Sequence, residues 1–92
     1  MRIISQNGAI DVPYEMSSIR NEDNAIILNM VGETVKGSVI ARYSTSEKAE
    51  KAMEMLRQKY KDYAKATNKS NFFTMFDYPK VFQFPNDEDV EV

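Results

Sequence analysis

The chain of 92 residues contains no cysteine, which rules out a disulfide framework and a zinc–thiolate site. It also contains no histidine. That removes the usual general base near neutral pH, the usual partner of a nucleophilic serine and the commonest metal ligand. No apolar run approaches the roughly 20 residues a membrane span needs. Met1-Arg2-Ile3-Ile4 gives way at once to Ser5-Gln6-Asn7-Gly8, an apolar stretch too short for a secretory signal. A cytoplasmic protein without a membrane partner is the expectation. Strong positive charge is missing as well. The formal net charge is −2, which excludes a nucleic-acid binder that works by bulk charge.

The charge that is present is unevenly spread. Residues 45–66 carry six basic and four acidic side chains, whereas residues 67–92 carry two basic and five acidic ones. The central stretch is locally positive and the C-terminal stretch locally negative.

That central stretch, Ser44 to Thr67, organises the rest. At about 100° per residue, Ala49, Ala52, Met53, Leu56, Tyr60, Tyr63, Ala64 and Thr67 fall in one arc of roughly 120°. Charged residues fill the opposite side, and no Gly or Pro interrupts Ser44 to Asn71. The pattern predicts one long amphipathic helix. Ser44-Thr45-Ser46-Glu47 reads as a capping box, with Ser44 accepting from the backbone and Glu47 reaching back to the Ser44 N–H.

On either side the patterning is that of strands. Arg2 to Ser5 and Ala9 to Tyr14 flank an Asn7-Gly8 turn and predict a first hairpin. Pro13 cannot donate to a ladder, so its strand belongs at an edge or ends there. Glu15 to Arg20 reads as a further extended piece and Asn21 to Asn24 as a polar loop. Ala25 to Val31 and Ser38 to Tyr43 predict a second hairpin. In its second strand Val39, Ala41 and Tyr43 face one way, and Ile40 and Arg42 the other. Lys80 to Phe84 predicts a last strand, with Phe82 and Phe84 on one face. From about residue 86 the chain is acidic and is expected to fray. The expected fold is thus a single α+β domain spanning 1–92. It is an antiparallel sheet of four or five strands, two hairpins plus a C-terminal strand, with the helix packed on one face.

No catalytic or cofactor motif emerges. Gly32 to Ser38 has the glycine spacing of a phosphate-binding loop, but the lysine after the second glycine is absent and a strand follows. A hairpin turn explains it better. Asp87, Glu88, Asp89 and Glu91 lack the glycine and ligand spacing of a calcium loop. Catalytic, cofactor and metal sites are therefore expected to be absent.

Two features point to partners instead. Arg57, Lys61, Lys65 and Lys69 follow at four-residue spacing and form a basic row along the helix. Such a row can meet phosphates or an acidic protein surface, although solvation alone also accounts for it. Phe72, Phe73, Met75, Phe76 and Tyr78 lie within seven residues. Neither a strand nor a helix turns all five to one side. Some of them are expected at an interface, with a foreign protein or with a second copy in a homodimer. The turn from Gly32 to Gly37 is a second candidate surface.

Three stretches resemble a group of small proteins encoded by phages and prophages of Gram-positive bacteria. They are Arg2-Ile3-Ile4-Ser5-Gln6-Asn7-Gly8 with Ile10-Asp11-Val12-Pro13-Tyr14; Tyr43-Ser44-Thr45 with Glu47-Lys48-Ala49 and Ala52-Met53; and Phe82-Gln83-Phe84-Pro85 with the acidic end. They cover a little over a third of the chain. The resemblance implies a setting in the cytoplasm of a bacterial host and carries no catalytic signature. In that setting the expected role is a non-enzymatic accessory protein that binds a host protein, for example as an inhibitor of a defence protein such as a CRISPR effector. The alternative is a nucleic-acid-binding or regulatory accessory protein that uses the basic row.

Overall fold

The structure, a computed structural model, describes residues 1–32, 37–68 and 81–92, with helix side chains through Lys65. Its class is α+β, but the strands divide into two three-stranded sheets and do not form one sheet of four or five. In chain order the elements are β1 (Arg2–Ile4), β2 (Asp11–Pro13), a 3-10 turn (Tyr14–Met16), β3 (Ser17–Glu22), β4 (Ala25–Met30), β5 (Ser38–Arg42), α1 (Ser46–Asn68), β6 (Val81–Gln83) and a second 3-10 turn (Asp87–Asp89).

The first sheet has the order β2-β1-β6 and the second β3-β4-β5. The expected first hairpin is present, with Ile3 opposite Val12. β6 then pairs with β1 in parallel, Ile3 opposite Phe82, so the first sheet is mixed. Two local features separate the sheets. Pro13 ends β2 at the sheet edge, and the 3-10 turn over Tyr14–Met16 redirects the chain before β3 begins.

The second sheet is an antiparallel meander. Asp23 and Asn24 carry positive φ of 48° and 67°, the backbone of a two-residue primed turn that suits the twist of a hairpin. Of the stretch expected as a polar loop, Asn21 and Glu22 therefore belong to β3 and only Asp23-Asn24 form the tight connection, with Glu22 opposite Ala25. Between β4 and β5 the register slips at Ile26/Ile27: Ile26 faces Ala41, but Ile27 faces Val39. Ile40 is the extra residue of a bulge. The alternation expected for β5 therefore fails there. Ile40 and Ala41 are both buried, Tyr43 is buried beyond them, and Val39 and Arg42 face solvent.

One core unites the elements. Ile3 and Phe82 from the first sheet, Ile26, Leu28 and Ile40 from the second, and Ala49, Ala52 and Leu56 from α1 belong to it, together with Phe84 and Val90. The buried helix face is the one its periodicity predicts, with Met53, Tyr60 and Tyr63 packed at its margin. Tyr60 lies against Tyr14 with ring centroids 4.5 Å apart. Phe82 and Phe84 meet edge to face at 5.1 Å.

The helix cap and the acidic end differ from expectation, and for one reason. Thr45 caps α1: its Oγ1 accepts the Lys48 N–H at 3.2 Å. The Ser44 N–H donates instead to Asp87 Oδ1 at 2.7 Å. Lys48 Nζ donates to the Asp87 carbonyl at 2.9 Å and lies 3.3 Å from its carboxylate. Val90 is buried in the core. The acidic end is thus docked on the start of α1, where carboxylates suit the positive end of the helix dipole.

Candidate interaction surface

The residues singled out by sequence fall into two groups. Lys69 and the aromatic set Phe72, Phe73, Met75, Phe76 and Tyr78 lie outside the described residues, as do residues 33–36 of the glycine-bracketed turn. Arg57, Lys61 and Lys65 are described and exposed, and none has an ion pair among the described residues.

The surroundings of the row weigh on its meaning. At about 100° per residue, Glu47, Glu50 and Glu54 occupy the same roughly 80° sector of the helix. All three are exposed. The face is therefore acidic in its first half and basic in its second. That order complements the helix dipole at both ends, a contribution of about 0.3–1 kcal/mol for each well-placed charge. Of these side chains Glu47 and Lys65 lie in the terminal turns where the dipole acts, and the like charges at four-residue spacing offset part of that gain.

The next flank of α1 is shaped differently. Lys51, Glu54, Met55, Gln58, Lys59 and Asp62 line an open groove of ≈ 410 Å³, with Phe82 of β6 at its base. The helix supplies this wall because residues 51, 55, 58, 59 and 62 recur at three- and four-residue spacing on one side. Met55 is 37% exposed, and Val81 on the neighbouring strand 45%. Gln58 Nε2 donates to Asp62 Oδ1 at 3.2 Å and orders part of the rim. Met55 lies outside the apolar arc that periodicity assigns to the helix, and sequence reasoning had no means of bringing Phe82 beside it, since that proximity depends on how β6 pairs.

Gln6 ties β5 to the segment after β6. Its backbone N–H donates to the Ile40 carbonyl at 2.8 Å, an acceptor on the bulged residue of β5. Its carboxamide engages Arg42 and Pro85: Arg42 N–H donates to Oε1 at 3.0 Å, and Nε2 donates to the carbonyls of Arg42 and Pro85 at 3.1 Å each. Tyr43 Oη donates to the same Pro85 carbonyl at 2.8 Å. Burial, aided by the Asp87 carboxylate, pushes the Tyr43 phenol up to about 12. The Ser44 backbone N–H, then Lys48, hold the Asp87 carboxyl below the usual carboxylate range. These groups form a structural clasp between the sheets.

Among the described residues, no three His, Cys, Asp or Glu side chains are placed to hold a metal ion, and no helix is long and apolar enough to cross a membrane. No buried side-chain polar atom among them lacks a hydrogen-bond partner. No family model, curated protein or solved structure matches the chain.

Proposed function

We propose that the protein is a non-enzymatic accessory protein that binds another protein through the groove between α1 and β6. The observation that carries this reading is the make-up of the groove. It has an apolar base of Phe82 with exposed Met55, and a rim of Lys51, Lys59, Glu54 and Asp62. An apolar centre ringed by charges of both signs suits a protein surface, which offers both signs in return, better than it suits a uniformly anionic polymer. The likeness to phage and prophage proteins supports a bacterial host protein as the target, with defence proteins such as a CRISPR effector as the class to examine. Binding that occludes such a target needs complementarity and no reaction.

The exposed row of Arg57, Lys61 and Lys65 favours a second reading, nucleic-acid binding. The acidic first half of the same face argues against it.

Affinity capture from a nuclease-treated host lysate separates the two. The wild-type protein and the double variant Arg57→Glu, Lys61→Glu are expected to retain the same protein, and Met55→Asp to lose it. Salt-sensitive gel shifts of mixed-sequence DNA or RNA, abolished by the double variant, would establish the second reading instead.

A further inference from the structure

Among the described residues, four strand edges bound the two sheets, and three of them are protected. β2 is three residues long and places Pro13, which has no N–H, on its outer side. β6 is also three residues long, and Pro85 follows it closely. The outer side of β5 is bulged at Ile40 and occupied by Gln6 and Asp87, which take the polar groups of Ile40, Arg42 and Ser44. These are the devices by which native sheets avoid pairing with another chain. Among the described residues β3 shows none of these three, its only protection being the charges of Arg20 and Glu22. It runs for six residues, Ser17–Glu22, without Pro, Lys or a bulge.

The turn at Asp23-Asn24 fixes which of its groups are free. In a two-residue hairpin the flanking residues, Glu22 and Ala25, exchange hydrogen bonds, and the pattern then alternates. Arg20 and Ser18 therefore bond to β4, whereas Ser17, Ile19 and Asn21 turn their N–H and C=O outward. The Ser17 N–H is taken by the Tyr14 carbonyl. Both groups of Ile19, both of Asn21 and the Ser17 carbonyl have no partner among the described residues.

We propose that β3 pairs antiparallel with β3 of a second copy of this chain, about a twofold axis at Ile19. This surface is distinct from the α1–β6 groove, and the inference is independent of the target reading. In this register Ile19 exchanges two hydrogen bonds with its mate, and each Asn21 N–H donates to the partner's Ser17 carbonyl. Sliding by two residues one way sets Arg20 against the partner's Arg20. Sliding the other way loses bonds, because the Ser17 N–H is already used. In the register centred on Ile19, Arg20 lies opposite the partner's Ser18, without a like-charge clash. Arg20 is already held by Glu22 and Asn29 of its own sheet. The product is a continuous six-stranded sheet, β5-β4-β3 joined to its twofold copy.

Sedimentation equilibrium across a concentration series tests this, with three variants. Asn21→Pro deletes an outward N–H and no β3–β4 bond, so it should yield a folded monomer. Ser18 is exposed and opposes the partner's Arg20 twice. Ser18→Lys should raise the dimer dissociation constant by about threefold to thirtyfold, and Ser18→Glu should lower it by about the same factor. Amide exchange at Ile19 and Asn21 should slow as concentration rises. A wild-type protein that stays monomeric, with these amides exchanging at a concentration-independent rate, overturns the proposal and leaves the edge to a foreign strand. A dimer indifferent to both Ser18 variants overturns it too, whatever the fate of Asn21→Pro.

Discussion

The carboxamide of Gln6 holds both main-chain polar groups of Arg42, accepting from its N–H at 3.0 Å and donating to its carbonyl at 3.1 Å. One side chain from the loop after β1 thereby completes the outer side of β5 as a strand would. Gln6→Ala removes these bonds and the one to Pro85. At about 0.5–1.5 kcal/mol net for each of the three bonds, a loss of about 1.5–4.5 kcal/mol is expected in urea melts. Gln6→Glu keeps the acceptor but turns a carboxylate oxygen toward two carbonyls. It should be less stable than wild type at neutral pH and recover when the carboxylate is protonated.

Gly37 precedes β5 at a point of close approach. A Cβ there would sit 2.5 Å from the Leu28 carbonyl oxygen and 2.7 Å from Asn29 Oδ1 and Ile27 Cγ2. Backbone cannot yield as a side-chain tip can, so Gly37→Ala should cost about 1–3 kcal/mol. Gly32, with φ +89° and nothing near its missing Cβ, should lose only about 1 kcal/mol on mutation to Ala, through backbone strain. Thermal melts of the two variants provide the comparison.

Leu56 is 1% exposed and Lys51, on the far side of α1, is exposed. Leu56→Ala should cost about 2–5 kcal/mol. Lys51→Ala should change stability by no more than about 0.5 kcal/mol. Equal losses in denaturant melts would mean the buried face has been misassigned.

The clasp at Asp87 and Tyr43 gives stability two pH limits. A carboxyl with a lowered folded value stabilises the fold above the ordinary carboxylate range, and this is lost as pH falls through that value. Asp87→Asn should therefore be less stable than wild type at neutral pH and lose less on acidification. A phenol raised to about 12 acts at the other end. Its contribution is complete below its ordinary value of 10.0 and disappears as pH rises toward about 12. Phenolate absorbance should show one tyrosine titrating near that upper value and missing in Tyr43→Phe. Urea midpoints across pH check the acid limb.

What the sequence made legible was local and periodic. The buried face of α1, the pairing of Phe82 with Phe84 on one side and the edge position of Pro13 each follow from spacing or from the chemistry of one residue. What it concealed depends on distant partners. Gln6 reads as a turn residue until Arg42, 36 positions away, is beside it. The bulge that buries Ile40 is a register slip between β4 and β5, invisible to the alternation of either strand alone. Ser44 reads as a helix cap because Asp87, which takes its N–H, lies 43 positions on. The acidic end did carry one overlooked signal: Val90, an apolar residue set among carboxylates, is the anchor that docks it. The α1–β6 groove was illegible too, since it depends on β6 pairing in parallel with β1.

The central functional claim is that Met55 and its neighbours on the α1–β6 groove meet a protein partner. Its most direct test is a calorimetric titration of the captured partner, once purified, with wild-type protein and with Met55→Asp. A carboxylate placed in a desolvated interface centre should weaken binding by at least about 2 kcal/mol, a factor of about 30 in Kd. Arg57→Glu in the same experiment should move it by less than about threefold. Equal affinities for wild type and Met55→Asp would contradict the account and take the binding surface away from this groove.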